Sequence, residues 1–170
     1  ISMSAIVLAG EKVNETLSAA ADGVVEIQNV RGKISIIGWD KKAVKIEGEL
    51  DDLAEKLIFE TQGKVTVISV KMPRHNINHG DGSKLVINIP KGNRVDFNGV
   101  STDVFIKDTT GGIDIHTVSG DVDVIDVKQQ LYVNTVSGDI EIEKSSGKAK
   151  LGSVSGDVVG EFDSKEISAN

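Results

Sequence analysis

The sequence predicts an all-β chain, a β-solenoid-like stack of short strands with about 18 residues and two strands per coil in the C-terminal half. Three observations predict it. A tetrapeptide returns every 18 residues without slippage, as Val100-Ser101-Thr102-Asp103, Val118-Ser119-Gly120-Asp121, Val136-Ser137-Gly138-Asp139 and Val154-Ser155-Gly156-Asp157. Such a short period cannot bury its apolar face alone, so each repeat must stack on its neighbours. Aliphatic β-formers dominate the apolar residues, while aromatics are 4%, prolines number two and 18 glycines punctuate short Val/Ile runs. Within those runs apolar and polar residues alternate, as half-buried strands require.

The 170 residues read as one continuous domain in three stretches. Residues 1–9 (ISMSAIVLA) are small and apolar, and Val7-Leu8-Ala9 before Gly10 has the small residues at −3 and −1 that signal peptidase prefers. They read as the remnant of a secretory signal, with an ordinary first strand as the other reading. Residues 10–98 read as an irregular β-repeat region with strands at Val24–Ile27, Lys33–Ile37, Val44–Glu47, Thr66–Val70, Leu85–Ile89 and Arg94–Phe97. Turn signals stand at Arg31-Gly32, Trp39-Asp40 and Lys91-Gly92-Asn93. Leu50–Phe59 is the one helix candidate, with Asp51 or Asp52 as cap and Leu53, Leu57 and Ile58 apolar; a strand is the alternative. Pro73–Ser83 is the longest polar loop.

Residues 99–170 form the regular region. Turns are expected at Thr102, Gly111, Gly120, Gln129, Gly138, Gly147, Gly156 and Lys165, a spacing of nine, with a strand after each. Stacking would place residue i over i+18, about 4.8 Å apart. Val104, Val122, Ile140 and Val158 then form one inward ladder, and Ile106, Val124 and Ile142 another that ends at Gly160. On the opposite strand Ile113, Leu131 and Ala149 stack, as do Ile115, Val133 and Leu151, and Val100, Val118, Val136 and Val154 fill the corner. Phe105, Asp123 and Glu141 face outward on one side, and Asp114, Tyr132 and Lys150 on the other. Gly120, Gly138 and Gly156 are expected to hold positive φ, with Thr102 marking an altered turn at the junction of the two regions.

Charge narrows the function. The net charge is −7, and residues 1–98 carry 13 basic and 13 acidic side chains against 6 and 13 in residues 99–170. The excess negative charge therefore sits on the repeats, which disfavours nucleic acid and anionic lipid as partners. There is no cysteine for a disulfide, a thiolate metal site or a thiol nucleophile. No stretch approaches the roughly 20 apolar residues of a membrane-spanning helix.

The VSGD(V/I)xV repeats, with Ala21-Asp22-Gly23, Asn29-Val30-Arg31-Gly32, Gly38-Trp39-Asp40 and Gly48-Glu49-Leu50-Asp51-Asp52, resemble a bacterial β-strand-repeat family of unknown function labelled "putative adhesin". The resemblance covers the chain from about Gly10 onward. It implies a β-solenoid-like fold and export to the periplasm or cell surface, and it brings no catalytic residues.

Asp103, Asp121, Asp139 and Asp157 are the sharpest candidate site, a column of carboxylates that could hold a row of divalent cations. Calcium-loaded nonapeptide rolls use denser Gly-Gly-x-Gly-x-Asp turns, however, and the alternate turns here supply no aspartate. Capping of free backbone N–H groups in the turn is the structural reading. His75, His79 and Asp81 could meet a metal, but a glycine-rich loop imposes no geometry. The serine column Ser101, Ser119, Ser137 and Ser155 repeats, whereas a nucleophile is singular. Polysaccharide-cutting β-helix enzymes need a groove with clustered carboxylates and aromatic platforms. This chain has six aromatics, and only Phe105 and Tyr132 are expected outward in the regular half.

The sequence thus reads as a non-catalytic exported binding or scaffold protein with no assigned catalytic residue or cofactor. Its expected partner is a protein or glycan of the envelope or surface, with self-association through the C-terminal end. A calcium-binding β-roll and a polysaccharide-acting enzyme are the alternatives.

Overall fold

The computed structural model describes residues 2–8, 12–75 and 80–169, with side chains up to Asp163. Its regular structure there is β throughout, in one 12-stranded sheet. The strands are β1 (Ser2–Leu8), β2 (Lys12–Ser18), β3 (Val24–Trp39), β4 (Ala43–Glu49), β5 (Lys56–Gln62) and β6 (Val65–Lys71). They continue with β7 (Ser83–Pro90), β8 (Arg94–Thr109), β9 (Ile113–Ser119), β10 (Val122–Ser137), β11 (Ile140–Ser153) and β12 (Val158–Ala169).

The longer strands turn a corner midway, so each contributes to two ranks. The first half of β3 lies between β6 and β8, and its second half lies between β7 and β8, all parallel. One rank then runs on from β6 through β5 to β1, and the other from β7 through β4 to β2, by antiparallel pairing. Toward the C-terminus, β8, β9, β10, β11 and β12 stack in parallel. In that half the register ties residue i to i+18: Val104 to Val122, Val122 to Ile140, Ile113 to Leu131 and Leu131 to Ala149. Between β11 and β12 the register slips by one residue over Ser145–Gly147 and then recovers.

A single apolar cluster fills the space between the ranks. Val122, Val124, Ile140 and Ile142 from one rank and Ile113, Ile115, Leu131 and Val133 from the other are each at most 2% exposed. Asp123 and Glu141, one residue along from Val122 and Ile140, face solvent. In the N-terminal half Phe59 and Phe97 are the largest fully buried side chains. Dry interiors of this kind draw their stability from aliphatic burial, at about 25 cal/mol per Å² removed from water.

One expectation is revised here. Leu50–Phe59 forms no helix: Leu50 and Asp51 leave β4, and Lys56–Gln62 runs as β5 antiparallel to β6. Leu57, Phe59 and Thr61 are all buried, a period of two that only a strand satisfies. Ser2–Leu8 lies along β5 with Val7 buried, at the end of the first rank.

Candidate recognition face along the repeat corner

The corner between the two ranks carries the repeated tetrapeptides. In β9, Ile113, Ile115 and Thr117 point inward, so strand alternation sends Asp114, His116 and Val118 outward. The same parity exposes every valine of the repeat: Val100 is 47% exposed, Val118 50%, Val136 49% and Val154 78%. The expectation that this column fills the corner is therefore corrected: the valines line the corner's outer side. The inward corner position belongs to Thr117 and Thr135, 5% and 1% exposed, with Ser153 half-buried above them. Two of the three hydroxyls bond a nearby backbone carbonyl, Thr117 Oγ1 donating to Ser119 O at 3.1 Å and Ser153 Oγ to Gly138 O at 3.0 Å, whereas the buried Thr135 Oγ1 makes no hydrogen bond.

Register aligns the exposed valines. Pairing of Ser101 with Ser119, and of Thr117 with Thr135, sets Val100 beside Val118 and Val118 beside Val136. Half-buried Val30 of β3 extends the ridge, since Asn29 pairs with Gly99 and Arg31 with Ser101. Alongside runs the serine column, where Ser119 Oγ donates to Ser101 Oγ at 3.1 Å.

Beyond the serines lies the aspartate ladder. The Asp121 N–H donates to Asp103 Oδ1 at 3.1 Å, that of Asp139 to Asp121 Oδ1 at 3.0 Å, and that of Asp157 to Asp139 Oδ1 at 2.8 Å. Each carboxylate thus caps the turn one rung above it, a charge-assisted bond that offsets the repulsion between stacked anions. Lys33 Nζ lies 3.7 Å from Asp103 at the base of the ladder. The adjoining outer face stays acidic, with a shallow cleft of about 160 Å³ lined by Phe105, Asp123, Glu141 and Glu143 among others. Burial holds the Asp123 carboxyl above its usual range, and the charges of Glu141, Asp121, Asp103 and Glu143 push it the same way.

Glycine serves the corner in two ways. Gly120 has φ of 121°, in the region that favours glycine. Gly138 and Gly156 do not, contrary to expectation; a Cβ on Gly138 would fall on Gly120 O, and one on Gly156 on Gly138 O. Close approach of successive rungs, rather than a left-handed turn, requires glycine at those two positions. Thr102, expected to mark an altered turn, instead lies within the continuous strand β8, paired with Gly32. It is fully buried, accepts from Asn29 Nδ2 at 3.1 Å and donates through Oγ1 to Asn29 O at 3.3 Å.

A second fastening lies beside the ridge. Arg31 grips the carboxylate of Asp51 with two nitrogens, Nη2 to Oδ1 at 2.9 Å and Nε to Oδ2. The Asp51 side chain is fully buried, its Oδ1 also accepts from Leu53 N at 2.8 Å, and its own N–H donates to Ser83 Oγ at 3.0 Å. The Arg31 guanidinium holds the Asp51 carboxyl below the usual carboxylate range.

The remaining sequence candidates do not converge. His75 and Asp81 are solvent-exposed, and His79 lies outside the described residues. His116 stands on the outer face of β9, its Nε2 2.9 Å from Asp114 Oδ1 and its ring 5.3 Å from that of Tyr132. Among the described residues no cluster of three or more His, Asp or Glu side chains is arranged to hold a metal ion. No described helix is long and apolar enough to cross a membrane.

The chain is thus an all-β, solenoid-like repeat protein that displays a ridge of aligned side chains. It belongs to the Toastrack DUF4097 family, whose pattern matches residues 23–164. No curated protein matches the chain. Among solved structures, a "putative adhesin" from Parabacteroides distasonis ATCC 8503 superposes with a TM-score of 0.50 at 16% identity, covering 94% of this chain and 78% of the other. A "putative cell adhesion protein" from Clostridium sporogenes ATCC 15579 has a TM-score of 0.40 at 10% identity, covering 94% of this chain and 100% of the other. At these identities the first likeness speaks for the fold alone.

Proposed function

We propose that this protein is a non-catalytic, exported binding or scaffold protein of adhesin-like type, working through its repeated β-faces at the periplasm or cell surface. One observation carries the reading: four valines in strict repeat stand about half-exposed or more in one line. Folding gains little from an exposed valine, whereas contiguous exposed apolar side chains mark interaction surfaces. A two-strand coil of 18 residues would offer a partner the same chemistry at each step of about 4.8 Å. Export is what the resemblance of the VSGD repeats to the exported β-strand-repeat family implies. The name of the Parabacteroides structure agrees with a surface role. The aspartate column is assigned to turn capping, because three of its four carboxylates already accept a backbone N–H.

The test is a photoreactive residue placed at Val118 in cells that make the protein, with an exposed control at Lys150, four residues before Val154 on the same rank. A discrete adduct at 118 and none at 150 is expected. Equal labelling at both positions, or none at either, would remove the corner as the working face.

A further inference from the structure

We infer, on the reading of the corner as a recognition face, that its partner is a basic amphipathic α-helix lying along the line of valines. Its apolar stripe would rest on Val30, Val100, Val118, Val136 and Val154, with its Lys/Arg flank over the aspartate ladder.

Three features of the corner select a helix of that charge. The backbone groups a strand would need are already engaged: Ser155 N donates to Val136 O at 2.9 Å, Val122 N to Asp139 O at 2.9 Å and Ile140 N to Asp157 O at 2.9 Å. A partner meets side chains only, which rules out strand addition at the corner and leaves a helix, whose own backbone bonds are internal, to dock through its side chains. The spacing agrees as well. Valines recur at about 4.8 Å, close to the 5.4 Å pitch at which a helix presents its i, i+4, i+7 stripe. Five rungs span about 19 Å, the length of roughly 13 helical residues.

Charge fixes the sign and the side. Asp103, Asp121, Asp139 and Asp157 line one flank of the ridge, with Asp123, Glu141 and Glu143 behind them. The opposite flank carries Asn98, His116, Asn134 and Gly152. Among the described residues, the one ion pair on this ladder is that of Lys33 with Asp103. A second copy of the chain offers no Lys/Arg flank to the ladder: antiparallel it sets aspartates against aspartates, and parallel it sets them against Asn98, His116, Asn134 and Gly152.

The experiment measures fluorescence anisotropy of a labelled 18-residue Leu/Lys peptide, patterned with leucines on one helical face and lysines flanking them. A peptide of the same composition with alternating Leu/Lys strand pattern is the second probe. Three proteins are compared: wild type, Val118→Ser/Val136→Ser and Asp121→Asn/Asp139→Asn. Both pairs are exposed, and Asn retains the oxygen that accepts the next N–H. Wild type should bind the helical peptide at least tenfold more tightly than the strand peptide. The valine pair should weaken helix binding by about tenfold at all salt concentrations. The aspartate pair should weaken it at low salt alone. Equal helix binding by wild type and the valine variant overturns the proposal, since charge alone would then hold the peptide. Valine-dependent binding of the strand peptide instead overturns the helix while keeping the corner as a face. Loss of valine dependence for both probes removes the corner itself.

Discussion

The backbone N–H of Asp139 donates to Oδ1 of Asp121 at 3.0 Å, so a side chain repeated every 18 residues serves the next rung of the stack. The same bond joins Asp103 to Asp121 and Asp139 to Asp157. What the repeat conserves at this position is an acceptor, and the negative charge is an electrostatic cost carried with it.

Substitution at Asp121 separates the two. Asp121→Asn keeps the acceptor and removes one charge from a stack of four, so it should leave stability unchanged or slightly raised. Asp121→Ala loses the bond and should cost about 1 kcal/mol. Urea denaturation of both variants decides the matter. An alanine variant as stable as the asparagine one would mean that the oxygen does not hold the turn.

Register predicts a contrast between neighbours. Val122 is fully buried, and Val122→Asp would place an unpaired carboxylate in the apolar interior, costing several kcal/mol. Asp123, one residue on, has its carboxyl held up by partial burial and surrounding acids. Its folded-state pKa lies above the unfolded value, so its charge disfavours the fold increasingly as pH rises through that range. Asp123→Asn should therefore raise stability at pH 7 slightly, by less than about 0.5 kcal/mol given its exposure. Thermal melts at pH 4 and pH 7 check both; equal losses at 122 and 123 would place the wrong face inward.

The two kinds of glycine should respond differently to alanine. Gly63 turns the β5–β6 hairpin with φ of 61° and has open space where a Cβ would stand. Gly63→Ala should cost about 1 kcal/mol, the strain of a left-handed alanine. At Gly138 a Cβ would fall on the carbonyl oxygen of Gly120, and the rungs must move apart to admit it. Gly138→Ala should cost clearly more, on the order of 3 kcal/mol. A chemical-denaturation midpoint lower for the Gly63 variant would contradict this order.

The Arg31–Asp51 pair predicts an acid limb. Arg31 lowers the Asp51 carboxyl below its unfolded value, so its contribution is complete above about pH 4 and is lost as pH falls through the folded pKa. Asp51→Asn removes the buried carboxylate that Arg31, 14% exposed, grips, and should cost on the order of 3 kcal/mol at neutral pH. The difference from wild type should shrink between pH 5 and pH 2. A difference constant over that range would mean that the pair contributes nothing through its charge.

Much of this was legible in the sequence, because the 18-residue period and the strand alternation are both geometric. Val104, Val122 and Ile140 align as the period requires. β5 was less legible, since Leu-Ala-Glu-Lys-Leu is built from helix formers and pairing with β6 on one edge and β1 on the other overrides them. The corner was misjudged for an instructive reason. Counting by twos from Ile113 puts Thr117 inside and Val118 outside, yet a valine invites the opposite assignment. The candidate face thus appears only when alternation is trusted over hydrophobicity. Asn29, buried against Thr102 across 73 residues of sequence, had no local signal at all.

The position of β3 carries a consequence for how the chain is made. Its partners are β6, first met at Val24–Val65, then β7 at Gly32–Ser83 and β8 at Val24–Arg94, so its neighbours are 41, 51 and 70 residues downstream. At roughly 5–20 residues per second of synthesis, β3 emerges about 2–8 s before its first partner and about 4–14 s before its last. During that interval VVEIQNVRGKISIIGW is an unpaired apolar strand with both edges open. Each rung after β8 finds its template already waiting 18 residues behind. The slow, exposed moment in the folding of this chain therefore belongs to its irregular half, where β3 waits for partners 41 to 70 residues downstream.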